Sequence, residues 1–184
     1  MGAEPGRGQR HLRQAELGFT LVELMAIMAL TGILMTLGAG AVRNFWLVRS
    51  LEAGKDQVIS EMRGLQQRVT SETHPLVYGA RFRAGASSIG LVRYNVLTGA
   101  CAEYATRALE GGVVVGAADF AEPAFIATCR AATGGSDEYV FFYARGSATE
   151  GLPAAGKGIT LNQPSLGRTT TLGVVGITGR VVAP

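Results

Sequence analysis

Residues Gly18 to Val42 read GFTLVELMAIMALTGILMTLGAGAV, an apolar run interrupted by a single carboxylate, Glu23, five residues after Gly18. The 24 residues from Phe19 to Val42, wound as a helix at about 1.5 Å per residue, reach roughly 36 Å, more than the ~30 Å of a bilayer's hydrocarbon core. The stretch is long enough to span a membrane. Arg7, Arg10 and Arg13 precede it, and positive charge on a flank holds that side in the cytoplasm, so the remainder of the chain is expected to be translocated. Hydropathy alone also fits a signal anchor or a secretory signal peptide. Glu23 is the discordant residue, because a carboxylate in a spanning helix is costly and marks a partner or a functional site unless it reaches the headgroups.

Outward from this stretch, the first 18 residues are Gly-rich, basic and without apolar periodicity, so residues 1–18 read as a disordered leader. The whole chain of 184 residues has room for one anchor and one small domain. Its 17 Lys and Arg against 14 Asp and Glu give +3, and removing a leader with three Arg and two Glu lowers this to +2. That balance is too mild to imply nucleic acid by itself. Within the anchor, Gly32, Gly38 and Gly40 are places where helices approach closely.

Beyond Arg43 the pattern becomes one-sided. Leu47, Leu51, Val58, Met62, Leu65 and Val69 fall on one helical face, with Glu52, Asp56, Glu61, Arg63 and Arg68 on others. A continuous helix from Phe19 to about Thr70 is expected, roughly 78 Å long, with residues 19–42 in lipid and 43–73 amphipathic. Gly54 and Gly64 are its interior weak points. Phe45 and Trp46, beside Arg43 and Arg49, suit the aromatic belt at the outer headgroups; packing of Trp46 on the head is the other reading. His74-Pro75 ends the helix, since the residue before proline is pushed from helical angles.

Residues 74–184 read as a strand-rich head. Pro75–Arg83 alternates Leu76, Tyr78, Ala80 and Phe82, and Ser88–Val96 follows after a turn, together an antiparallel hairpin. Val113–Val115 and Phe125–Thr128 are short candidates in a Gly/Ala-rich middle. Glu138–Ala144, Gly158–Asn162, Thr169–Val175 and Arg180–Val182 complete the strands, the last two joined around Thr178-Gly179. The fold class expected is α+β: a long N-terminal helix, transmembrane then amphipathic, packed on a C-terminal antiparallel sheet.

Gly18-Phe19-Thr20-Leu21-Val22-Glu23-Leu24-Met25 resembles the type IV prepilin processing motif. The resemblance implies cleavage by a prepilin peptidase between Gly18 and Phe19, methylation of the Phe19 amine, and a role for Glu23 in assembly, where it meets the Phe19 amine of a neighbouring subunit. A secretory signal is cut after its apolar region, whereas this site precedes it and leaves the anchor attached. The resemblance also implies a single-pass protein of the inner membrane, N-terminus cytoplasmic and head extracytoplasmic, whose partners are the peptidase, the bilayer and other pilins. The helix end QQRVTSETHPLVYGARF, Arg145-Gly146-Ser147 and the terminal Gly179-Arg180-Val181 resemble, more diffusely, H-type minor pseudopilins of type II secretion and FimT-like minor pilins.

Cys101 and Cys129 are the only cysteines, both on the side expected to be translocated. In an oxidising compartment a disulfide closing this loop contributes on the order of 3–4 kcal/mol. Two separate buried thiols are the other reading. No metal or cofactor site is expected, and no catalytic set. The histidines are His11 in the leader and His74 before a proline, and Glu103, Glu110, Asp119 and Glu122 read as acids of solvated loops. The glycines of 173–179 lack the strand-to-helix setting of a phosphate loop. The function implied is a minor pseudopilin or minor pilin serving secretion. The alternative is a FimT-like minor pilin that captures DNA. That group carries a Gly-Arg-x-Arg element, whereas Gly179-Arg180-Val181-Val182 lacks the second arginine, leaving Arg168 and Arg180 as candidate contacts.

Overall fold

The computed structural model describes residues 19–72, 75–135, 137–145, 147–149, 158–176 and 178–183. Helix α1 runs Leu21–Ser71, close to the span its periodicity predicts. The residues around His74 that were expected to stop it lie outside the described set, although Pro75 follows in a turn. The chain forms two compact units, Met1–Ala41 and Val42–Pro184.

In the first unit the described helix is exposed on every side. Leu21, Met28, Leu34 and Met35 each show more than 60% of their surface. Within the second unit the helix is one-sided: Leu51, Gly54, Val58, Met62, Leu65 and Val69 are buried, while Leu47 is half-buried. Gly54 is therefore not merely a weak point, since a Cβ there would touch the Val113 side chain at 3.2 Å. Gly64 has open space around it. Trp46 is 66% exposed, so it does not pack on the head.

Among the described residues the head holds two antiparallel four-stranded sheets rather than one. The first, in the order β3-β2-β1-β5, joins β1 (Leu76–Phe82), β2 (Ser88–Asn95), β3 (Cys101–Ala108) and β5 (Glu138–Phe142). The second, in the order β4-β6-β7-β8, joins β4 (Val114–Asp119), β6 (Gly158–Gln163), β7 (Arg168–Val175) and β8 (Arg180–Val182). The β1–β2 and β7–β8 hairpins pair as their sequences predict, Leu76 opposite Asn95 and Val175 opposite Arg180.

One main core joins the α1 stripe to both sheets. From the first sheet it takes Tyr78, Ala80, Phe82, Ile89, Leu91, Val140 and Phe142, and from the second Val115, Ile159, Leu161, Leu172 and Val174. The first sheet is also covered on its other face. Helix α2 (Ile126–Thr133) lays Ile126 and Cys129 against Val77, Val92, Tyr139 and Phe141. Strand β5 is thus buried on both faces, which explains why its unbroken apolar run is the clearest strand signal in the chain. Residues 125–128, expected as a strand, belong instead to α2 and the turn before it. Gly134, left-handed at φ 76°, ends α2 and donates its N–H to the Arg130 carbonyl.

Close packing at Gly79 is obligatory, because a Cβ there would meet the Val140 carbonyl oxygen at 2.5 Å and the Phe141 ring at 2.6 Å. Gly111, at φ 67°, brings its loop against α1, where a Cβ would fall 2.2 Å from that of Ser50.

Candidate processing and assembly site

Local chemistry builds the start of α1. Thr20 stands one residue before the helix; its hydroxyl oxygen accepts the Glu23 N–H at 3.2 Å and its carbonyl accepts the Leu24 N–H at 3.1 Å. Thr20 is the N-cap and Glu23 the third helical residue, the spacing of a capping box. The Glu23 carboxylate also lies in the first turn, where the helix dipole favours negative charge. This part for Glu23 in the single chain escaped the sequence reading, although Thr-x-x-Glu opening an apolar run carries the signal.

Phe19 is 73% exposed and Glu23 is exposed beside it. Residues 1–18, Gly18 among them, lie outside the described residues. Bulky apolar side chains uncovered on every side of a helix are what a soluble surface avoids, so this segment is built to be covered by lipid or by other chains. Among the described residues, α1 is the one helix long and apolar enough to cross a membrane.

The structure brings Cys101 and Cys129 together, sulfurs at bonding distance and Cα atoms 5.0 Å apart. The pair ties β3 to α2, and neither is a separate thiol. It does not bring Arg168 and Arg180 together. Arg168 opens β7 opposite Gln163, whereas Arg180 pairs with Val175 at the far end of the same strand. Seven residues at about 3.3 Å put them roughly 23 Å apart along β7, so they form no single patch.

Two of the acids read as belonging to solvated loops, Glu103 and Glu122, are engaged by arginines, and so is Asp137, which that reading did not single out. Glu103, on β3, meets Arg81 at 2.7 Å and accepts the Thr106 hydroxyl at 2.6 Å. Glu122 meets Arg130 at 2.6 Å. Asp137, buried, is held by Arg83 at 3.1 Å and Arg81 at 3.4 Å. Each of these carboxylates is satisfied by a guanidinium, and the pairs brace the first sheet. Gly173–Val175 closes β7 and Thr178-Gly179 turns into β8, so the described part of the glycine-rich stretch is hairpin, not phosphate loop. His11, His74 and Gly146 fall outside the described residues.

At the end of the first sheet where β1 begins and β2 ends, a cleft of about 690 Å³ is lined by Leu76, Tyr94, Phe125, Tyr143 and Arg145 among others. Tyr94 and Phe125 stack with centroids 4.0 Å apart, and burial pushes the Tyr143 hydroxyl above its ordinary value. Near the C-terminal end of α1, Tyr78 donates to the Glu72 carboxylate, and the Arg68 guanidinium lies over both the Tyr78 and Tyr104 rings. Burial first, then the Glu72 hydrogen bond, pushes Tyr78 up to about 12.

The family model of the prokaryotic N-terminal methylation motif matches residues 13–39. No curated protein and no solved structure matches the chain. The match runs from before Gly18 into the apolar part of α1, and it supports a type IV pilin-like protein. It implies processing by a prepilin peptidase and assembly with other pilins, and with the apolar half of α1 it supports membrane anchoring. It points to a structural subunit rather than an enzyme.

Proposed function

We propose that this chain is a minor pseudopilin or minor pilin, cut after Gly18, methylated on Phe19, and packed through residues 19–42 against other pilins to start or cap a filament used in protein secretion. The observation that carries the reading is one carboxylate, Glu23, in the first turn of α1, where the helix up to Val42 carries no other charge and is exposed. Cleavage after Gly18 leaves a positive amine on Phe19, just ahead of the Thr20 cap, at the end of the helix whose dipole disfavours a cation. In lipid neither the amine nor the carboxylate is well solvated, and each costs less paired than alone. Glu23 of one subunit against Phe19 of the next supplies the pair and sets the axial step between them.

Glu23→Val is expected to leave cleavage and insertion intact and to lose incorporation into filaments. Normal incorporation of that variant, measured by shearing and immunoblotting, removes the role. Mass spectrometry of the N-terminus is expected to find methyl-phenylalanine at position 19. The DNA-capturing alternative has less support, given an incomplete Gly-Arg-x-Arg element and the separation of Arg168 from Arg180. A gel shift of the full chain with duplex DNA at low and high salt tests it, since phosphate contacts weaken steeply with salt.

A further inference from the structure

The second unit carries, at the lower end of its helix, a group of cations that the assembly reading does not use. Arg43 and Arg49 are exposed beside the exposed rings of Phe45 and Trp46, and the Arg49 guanidinium lies 5.5 Å from the centre of the Phe45 ring. One to two turns further on, a cleft of about 250 Å³ opens between α1 and the turn joining β6 to β7. Lys55 comes from the helix side, and Leu166, Arg168, Thr169 and Thr170 from the strand side. Among the described residues neither Lys55 nor Arg168 has an ionic partner. The acid in the cleft, Glu52, is claimed by Arg49 at 3.9 Å; Asp56 is turned to a different groove with Ile59 and Arg63.

We infer that this cleft is a seat for the phosphate of an anionic phospholipid headgroup, so that the β6–β7 turn rests on the bilayer surface. The inference rests on reading residues 19–42 as a membrane span. Arg43 to Lys55 rises about 18 Å along the helix, which carries the side chains from the aromatic belt through the headgroup layer. Aromatic rings settle at that layer, and juxtamembrane cations are drawn to anionic lipid by about 1 kcal/mol each. Two cations without an ionic partner offer a phosphodiester charge and hydrogen-bond donors, and Leu166 and Val48 flank them with apolar surface. Lipid fits better than nucleic acid, because a duplex reaching this level approaches an anionic membrane surface.

The full chain in nanodiscs tests this, with Trp46→Phe and Leu166→Trp making residue 166 the sole tryptophan and with spin label on the lipid headgroup. Quenching at residue 166 is expected in discs containing phosphatidylglycerol and is expected to fall in pure phosphatidylcholine. Arg168→Gln and Lys55→Gln are each expected to lower the docked-to-undocked ratio about fivefold, the equivalent of about 1 kcal/mol per basic side chain. Glu52→Gln, which removes the acid, is expected to raise it. Quenching that ignores lipid charge and all three substitutions overturns the inference. So does duplex DNA binding that needs Arg168 while lipid quenching does not, which assigns the residue to nucleic acid. An uncut N-terminus found by mass spectrometry counts against the pilin reading alone, because the quenching is read on the inserted chain in either form.

Discussion

The two halves of α1 share one continuous backbone and have opposite surfaces. From Leu21 to Ala41 every described position is exposed, whereas from Leu51 to Val69 one stripe of six residues is buried. The first half is apolar all round and finds nothing in its own chain to cover it; the second confines its apolar residues to one side and finds two sheets. Helical propensity is common to both. What differs is the angular spread of apolar side chains, and that alone decides whether the helix needs foreign surface or can be satisfied within the fold.

The most severe way to break this contrast is to place one carboxylate in each half. Met62 is fully buried and Met28 is 67% exposed. Met62→Asp leaves a charge unpaired in the core and is expected to cost at least ~3 kcal/mol, abolishing the head's cooperative transition in circular dichroism. Met28→Asp is expected to leave that transition unchanged and to weaken membrane integration by ~3 kcal/mol, read by alkaline extraction of membranes. A head unfolded by Met28→Asp breaks the comparison.

A comparable loss, again confined to the second unit, is expected from Cys101→Ser with Cys129→Ser. The bridge spans 28 residues, for which restriction of the unfolded chain corresponds to ~3–4 kcal/mol. The midpoint of urea unfolding of the head falls, while extraction of the anchor is unaltered. Alkali provides a smaller probe. Tyr78 titrates near 10.0 when unfolded and about 12 in the fold, so the folded state holds its proton more tightly. That contribution is complete below pH 10 and is lost as pH rises from 10 toward 12. Tyr78→Phe removes this part of the alkaline loss.

The gentlest test uses the two glycines of the second half. Gly64→Ala enters open space and is expected to stabilise the head by up to about 1 kcal/mol. Gly54→Ala is expected to gain less, because its methyl meets Val113 at 3.2 Å. Equal gains at both sites, measured by thermal melting, argue that Val113 yields freely.

Much of this layout is legible along the chain because it depends on periodicity. The 51-residue helix, its buried stripe and the hairpins follow from spacings of three-to-four or two, and β5 from its unbroken apolar run. Strand β3 carries no such signal: none of the residues of CAEYATRA is buried, so it is short of apolar residues and its pairing with β2 is what makes it a strand. Phe125–Thr128 has strand-forming residues but is held in and beside α2 by the bond from Cys129 to β3 and by the apolar outer face of the first sheet. Two sheets instead of one follow from how the turns direct the chain, which composition does not encode. At the N-terminus both the prepilin-like octamer and the Thr-x-x-Glu spacing of the cap are written in the sequence, and the Thr20 hydroxyl accepts the Glu23 N–H as that spacing implies.

Three glutamine side chains pin the helix to the head. Gln57 donates to the Ala108 carbonyl at 2.7 Å and Gln66 to that of Thr178 at 3.1 Å, while the buried amide of Gln163 donates to Ser50 at 2.8 Å and to the Gly111 carbonyl at 2.7 Å. A slip of one helical turn moves every side chain by about 5.4 Å and ruptures the Gln57, Gln66 and Ser50 contacts together. Load applied along this part of the helix is thus shared as shear among distant points of the head instead of peeling its strands off in sequence.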